Sequence, residues 1–179
     1  EGVSLGPGPE GDRGALHFSG KAWSELPDTG YLDAKRPFSI TTWFYRPESE
    51  EQSFALASQF DPRGKGRGWN LSLTARRPNF AMVGDDGKKI NIQAGLLQES
   101  ETGVWNHLTV TYDGSGERAG LNLYLNGNVV PTQGSDYFEK LKGDIRTGQP
   151  ILLGKQVNVV GENEMGRADK LFLSGGAMA

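Results

Sequence analysis

Trp105-Asn106-His107-Leu108-Thr109-Val110-Thr111-Tyr112-Asp113 runs through the Gly-rich stretch 114–120 into Leu121-Asn122-Leu123-Tyr124-Leu125-Asn126-Gly127. Leu108, Val110 and Tyr112 alternate with His107, Thr109 and Thr111, the period of two that a half-buried strand requires. Past the turn, Leu121, Leu123 and Leu125 repeat the alternation against Asn122 and Tyr124. Asn126-Gly127 is the dipeptide that tolerates positive φ at both central positions of a tight turn. The stretch therefore reads as antiparallel strands closed by a two-residue hairpin, with Asn128 to Pro131 returning.

Working outward, similar short runs occur at Ala15 to Phe18, Phe38 to Tyr45, Phe54 to Gln59, Trp69 to Leu73, Phe80 to Val83, Lys89 to Gln93, Ile151 to Leu153 and Lys170 to Leu173. About eleven strands result. Between them stand the breakers Asp61-Pro62-Arg63-Gly64, Arg77-Pro78-Asn79, Gly84-Asp85-Asp86-Gly87 and Gly95, as short antiparallel connections require. No segment sustains a 3.6-residue stripe; Ser135 to Lys142 predicts at most a helical turn. With no linker, repeat or composition shift, residues 1–179 read as one all-β domain, a two-sheet antiparallel sandwich of jelly-roll type.

Composition narrows the function classes. The 179 residues include 26 glycines and 9 prolines, in keeping with many turns and few helices. With 19 basic and 22 acidic side chains the net charge is −3, so no positive field draws in nucleic acid. The absence of cysteine excludes thiolate metal sites, CxxCH haem attachment and thiol nucleophiles within this segment. No apolar stretch approaches the ~18 residues of a membrane span. The start at Glu1 without Met and the small-residue end at 175–179 lead us to expect a piece of a longer or processed chain.

Six words in series carry a family resemblance: Gly14-Ala15-Leu16-His17-Phe18-Ser19-Gly20, Phe38-Ser39-Ile40-Thr41-Thr42-Trp43-Phe44, Trp105 to Gly114, Leu123-Tyr124-Leu125-Asn126-Gly127, Ile151-Leu152-Leu153-Gly154 and Gly166 to Leu173. In this order and spacing the chain resembles the laminin-G-like jelly roll of the concanavalin A-like lectin/glucanase superfamily, over about residues 12–176. The stretch from Tyr112 through Thr147 looks especially like versions embedded in large bacterial extracytoplasmic proteins that also carry cytochrome modules. The resemblance implies two antiparallel sheets, a structural calcium ion on the rim, a concave face or loop edge for glycan or protein ligands, and an extracytoplasmic location. It does not imply catalysis, and fold alone does not fix function.

Catalysis finds little support in the residues. Glycosidases need two carboxyl groups across one bond; the nearest match to the family's Glu-x-Asp word, Glu10-Gly11-Asp12, lies in a Gly-rich lead, with Ala15 or Leu16 where the third acid would fall. The Glu48 to Glu51 cluster reads as a solvated loop. Of the two histidines, His107 is expected on the outer or edge face of its strand, with no triad partners at a telling offset. Gly64-Lys65-Gly66-Arg67-Gly68 lacks the ending of a phosphate loop and joins two strands. No catalytic residue is assigned.

Sugar recognition requires an exposed aromatic platform beside planar hydrogen-bonding groups. Trp43 and Trp105, inside the family words, are expected in the core, which leaves Trp23 and Trp69 as candidate platforms. Tyr45, Asn70, Arg76 and Arg77 are the candidate polar contacts, and Arg63 beside the Gly64–Gly68 loop is a further ligand candidate if that loop contacts acidic sugars or a neighbouring domain. The competing reading of Trp69 is that it begins a buried face continued by Leu71 and Leu73. Asn70-Leu71-Ser72 matches a glycosylation sequon but lies within a predicted strand. By resemblance, Asp169 at the start of the last strand is the candidate ligand of a structural calcium ion, and Ala168 and Lys170 depart from the usual loop word. The resulting expectation is a non-catalytic glycan-binding module within a larger extracytoplasmic protein. Its alternatives are a structural or protein-interaction domain, with another domain of the same chain as partner, and remotely a glycoside hydrolase.

Overall fold

Each polar-flanked alternation becomes a strand because its apolar half can be buried against a second sheet. The structure, a computed structural model, describes residues 2–11, 14–19, 22–28, 32–48, 53–61, 66–96, 99–134, 140–156, 172–173 and 176–178. Its strands are β1 (Val3–Pro7), β2 (Gly14–Phe18), β3 (Ser24–Leu26), β4 (Phe38–Tyr45), β5 (Phe54–Phe60), β6 (Gly68–Thr74), β7 (Arg77–Val83), β8 (Lys89–Ala94), β9 (Trp105–Tyr112), β10 (Leu121–Leu125), β11 (Asn128–Val130), β12 (Thr132–Gln133), β13 (Ile151–Leu153), β14 (Lys155–Gln156), β15 (Phe172–Leu173) and β16 (Gly176–Met178). The only helical element among the described residues is a 3-10 turn, Arg118–Gly120. The expected helical turn at Ser135 to Lys142 falls mostly outside the described residues.

The first sheet has the order β1-β2-β16-β4-β9-β10-β11, and the second β12-β8-β7-β6-β5-β13-β3; β14 and β15 form a small third ladder. Every pairing is antiparallel. Each of the eleven predicted strands has a counterpart, the one expected at Lys170 to Leu173 only in its described half, Phe172–Leu173. The five missed, β1, β3, β12, β14 and β16, are short segments with no clear alternation, placed by the strands they pair with. At the β10–β11 hairpin, Asn126 and Gly127 both take positive φ, 51° and 81°. The Asn126 side chain ties the turn to β9 by accepting the His107 backbone N–H at 2.8 Å.

The core lies between the sheets. Phe44, Leu108, Val110, Tyr112 and Leu123 from the first meet Leu71, Leu73, Phe80, Met82 and Ile92 from the second. Phe38 bridges the layers, with ring centroids 6.2 Å from Phe80 and 5.2 Å from Tyr112. Trp69 joins this core at 3% exposure, its indole N–H donating to the Gln59 side chain at 3.0 Å. Burying the Trp N–H with a partner avoids the cost of an unsatisfied donor.

Candidate functional site

Strict alternation along β4 and β9 decides which side chains reach solvent. Phe38, Ile40 and Phe44 pack on or into the core, as do Leu108, Val110 and Tyr112. By parity Ser39, Thr41, Trp43 and Tyr45 on β4, and Trp105, His107, Thr109 and Thr111 on β9, share the outer face. Register places Thr41 opposite Thr109, Trp43 opposite His107 and Tyr45 opposite Trp105. The expectation that Trp43 lies in the core is thus corrected: Trp43 is 39% exposed, because its neighbour Phe44 holds the inward phase. Trp105 is likewise half-buried on the outer face. The expected outer position of His107 agrees with the structure.

The four rings form a block across two strands. Trp43 and His107 have centroids 4.8 Å apart at 47°, and Tyr45 and Trp105 are 5.9 Å apart at 64°. Beside them the Thr41 hydroxyl contacts His107 Nε2 at 2.8 Å and the Thr109 hydroxyl at 3.0 Å. Strand spacing sets the block at about 5 Å by 7 Å between attachment points, the footprint of a sugar ring. Asn122 and Tyr124 extend the same face onto β10, opposite Thr111 and Thr109. Not one of these ten residues is Asp, Glu, Lys or Arg.

The second sheet's outer face differs. Ser58, Asn70, Ala81 and Asn91 form one cross-strand row, and a cleft of about 230 Å³ is lined by residues including Asn70, Ser72, Asn79 and Lys89. Its polar groups are largely committed to one another: the Asn70 and Asn79 amides each donate to the Ser72 hydroxyl at 3.3 Å. Desolvation pulls the Lys89 ammonium pKa below its ordinary value, although the residue sits at an exposed strand start. Among the described residues that line it there is no aromatic floor, and the cleft is smaller than the roughly 300–1,000 Å³ usual for ligand pockets.

The candidate ligand residues do not converge. Tyr45 is in the ring block, Asn70 lines the cleft on the opposite sheet, and Arg76 sits at the β6–β7 turn. Trp23 is 40% exposed, but the Lys155 ammonium lies 3.6 Å from its ring centroid, occupying one face. Trp69 is corrected as a platform, since its ring is enclosed and begins the buried row of Leu71 and Leu73. Asn70, 5% exposed within β6, is also a poor glycosylation acceptor. Arg63 and Asp169 lie outside the described residues. Among the described residues no three His, Asp or Glu side chains converge in a way that could hold a metal. Asp85 and Asp86 act as turn formers, accepting the backbone N–H groups of Asp144 and Lys88 at 3.0 Å each.

Comparison with known proteins adds the family. No curated protein matches the chain in sequence. Among solved structures it is similar to domains LG4-5 of the mouse laminin alpha1 chain, at 16% identity and a TM-score of 0.63, covering 99% of this chain and 43% of that one. It is similar to the binding domain of Paraclostridial Mosquitocidal Protein 1, at 16% identity and a TM-score of 0.65, covering 98% of this chain and 40% of that one. It also resembles the CBM40 of a Ruminococcus gnavus IT-sialidase, solved with alpha2,3 sialyllactose, at 17% identity and a TM-score of 0.53, covering 92% and 87% of the two chains. The present chain thus spans well under half of the first two. Residues 18–167 match the Laminin_G_3 family, and with that span covering most of two seven-stranded sheets, the chain belongs to this family of the concanavalin A-like lectin/glucanases superfamily.

Proposed function

We propose that the chain is a non-catalytic glycan-binding module that takes uncharged saccharides on the outer face of β4 and β9. The observation carrying this reading is the solvent-facing ring block of Trp43, Tyr45, Trp105 and His107, flanked by hydroxyl groups and free of charged side chains. Pyranose rings present C–H faces that stack on aromatic π-systems, while their hydroxyls hydrogen-bond to donors and acceptors at the ring edge. Thr41, Thr109, Thr111, Asn122 and Tyr124 supply such groups. The CBM40 similarity supports the fold's use as a sugar binder, and an extracytoplasmic location within a larger protein accords with this reading.

A glycan array tests it, probed with wild type, Trp43→Ala and Tyr45→Ala, in calcium and in chelator. Binding to neutral glycans is expected in the wild type, with at least a tenfold loss in each folded variant, equivalent to ~1.4 kcal/mol. A silent array would move the assignment to a protein-interaction domain. Binding that survives in both variants would remove the site from this face.

A further inference from the structure

Arg46 follows β4 and is 4% exposed, yet among the described residues no carboxylate pairs with it directly. Its Nη2 donates to the Ser100 carbonyl at 2.6 Å, while its buried Nε has no hydrogen-bond partner. Arginines at this depth are normally paired, because an uncompensated buried charge costs several kcal/mol. A second cation, Arg76, is close enough to join burial in lowering the Arg46 pKa, with Glu99 opposing both. Among the described residues Glu99 is the carboxylate that reaches this group, and it is spent on Arg76, 3.3 Å from its Nε; both side chains are about 40% exposed. The Arg76 Nε is itself buried without an aligned hydrogen bond. Two guanidinium groups therefore share one loosely held carboxylate.

The surroundings are fixed. Ser100 donates its backbone N–H and its hydroxyl to the Arg76 carbonyl at 3.0 and 3.1 Å. Gly103 N–H donates to the Arg46 carbonyl at 2.9 Å. Asn106, fully buried, accepts the Glu101 N–H at 3.0 Å and donates to the Glu101 and Val104 carbonyls at 2.9 and 3.1 Å. Both arginines thus project from backbone pinned on either side of the 99–104 loop. A planar acceptor with two oxygens would satisfy the guanidinium donors that the protein leaves open.

We infer that Arg46 and Arg76 form a binding site for a carboxylate-bearing ligand such as a uronic acid, with the Glu99 side chain as a resident substitute that the ligand displaces. This site is independent of the ring block and does not rest on the neutral-glycan reading.

The test follows the Arg46 Nε–H resonance by NMR in the whole chain during titration with sodium glucuronate, sodium acetate, sodium sulfate, glucose and sodium chloride. Glucuronate is expected to shift this resonance saturably, acetate in the same direction, and glucose and chloride not at all. Glu99→Gln removes the competitor and should tighten glucuronate binding roughly fivefold, the scale of one exposed ion pair. Arg76→Gln, at a half-exposed position and with folding checked by its urea transition, should abolish the shift. An unmoved resonance, an equal response to chloride, a response to sulfate alone, full binding in Arg76→Gln, or weaker binding in Glu99→Gln would each overturn the assignment.

Discussion

Tyr112 shows how one side chain can serve packing and loop order together. Its ring packs at 5.2 Å from Phe38, its hydroxyl donates to the Ala34 carbonyl at 2.8 Å, and the same oxygen accepts the Gly116 N–H. Removing the hydroxyl orphans a buried carbonyl and an amide, so Tyr112→Phe should lower unfolding free energy by about 1–3 kcal/mol in urea titrations. Burial raises the Tyr112 pKa, nearby Asp113, Asp33 and Glu117 adding to it and the Gly116 N–H opposing. The folded state thus holds the neutral phenol. This contribution is fully present below the unfolded value of about 10 and is lost as pH rises through the higher folded value. The alkaline loss of stability in wild type should be smaller in Tyr112→Phe. At this scale the alternation made Tyr112, Leu108 and Val110 legible as inward. The same alternation puts Trp43 outside, since Phe38, Ile40 and Phe44 together hold the inward phase of β4. The bare Arg46 was not legible, because its partners come from loops distant in sequence.

Among the elements, the β5–β6 hairpin depends on one glycine. Gly68 has φ of 135°, a backbone conformation that side chains rarely adopt, and a Cβ there would lie 1.9 Å from the Gln59 carbonyl oxygen. Backbone cannot yield as a flexible side chain can. Gly68→Ala should therefore cost at least about 2 kcal/mol, read as a lower urea midpoint with an unchanged slope. Gly6 on β1 shows a related constraint, since a Cβ there would meet the His17 ring at 2.5 Å. The strands that alternation missed explain its limit. Val3–Pro7 and Gly176–Met178 hold glycine and small residues, and their place in the sheet is set by the partners that receive them. Periodicity reports burial of a strand's own face, not the unpaired edge waiting beside it.

Taken as a whole, the first sheet is assembled from both ends of the described chain. β16 pairs with β2 through Gly176 and Phe18, and with β4 through Ala177 and Tyr45. Removing residues 172–179 would leave β2 and β4 with facing, unpaired backbone edges. The shortened chain should lose its sharp urea transition and bind a hydrophobic dye, whereas an intact cooperative transition would show that the sheet closes without β16. The sandwich and its single core were readable from turn spacing and alternation. The ring block was half readable: the sequence offers Tyr45 as a contact and His107 as an outer-face residue, but places Trp43 and Trp105 in the core. Having β1, β2 and β16 as neighbours also governs how such a unit sits in a longer polypeptide. Because β1 and β16 flank β2 and run parallel to each other, segments fused before and after the module would meet it close together and head the same way, so the module would add little to its host's contour length. The same adjacency makes it suited to circular permutation, with old ends joined by a short linker and new ones opened at an exposed hairpin.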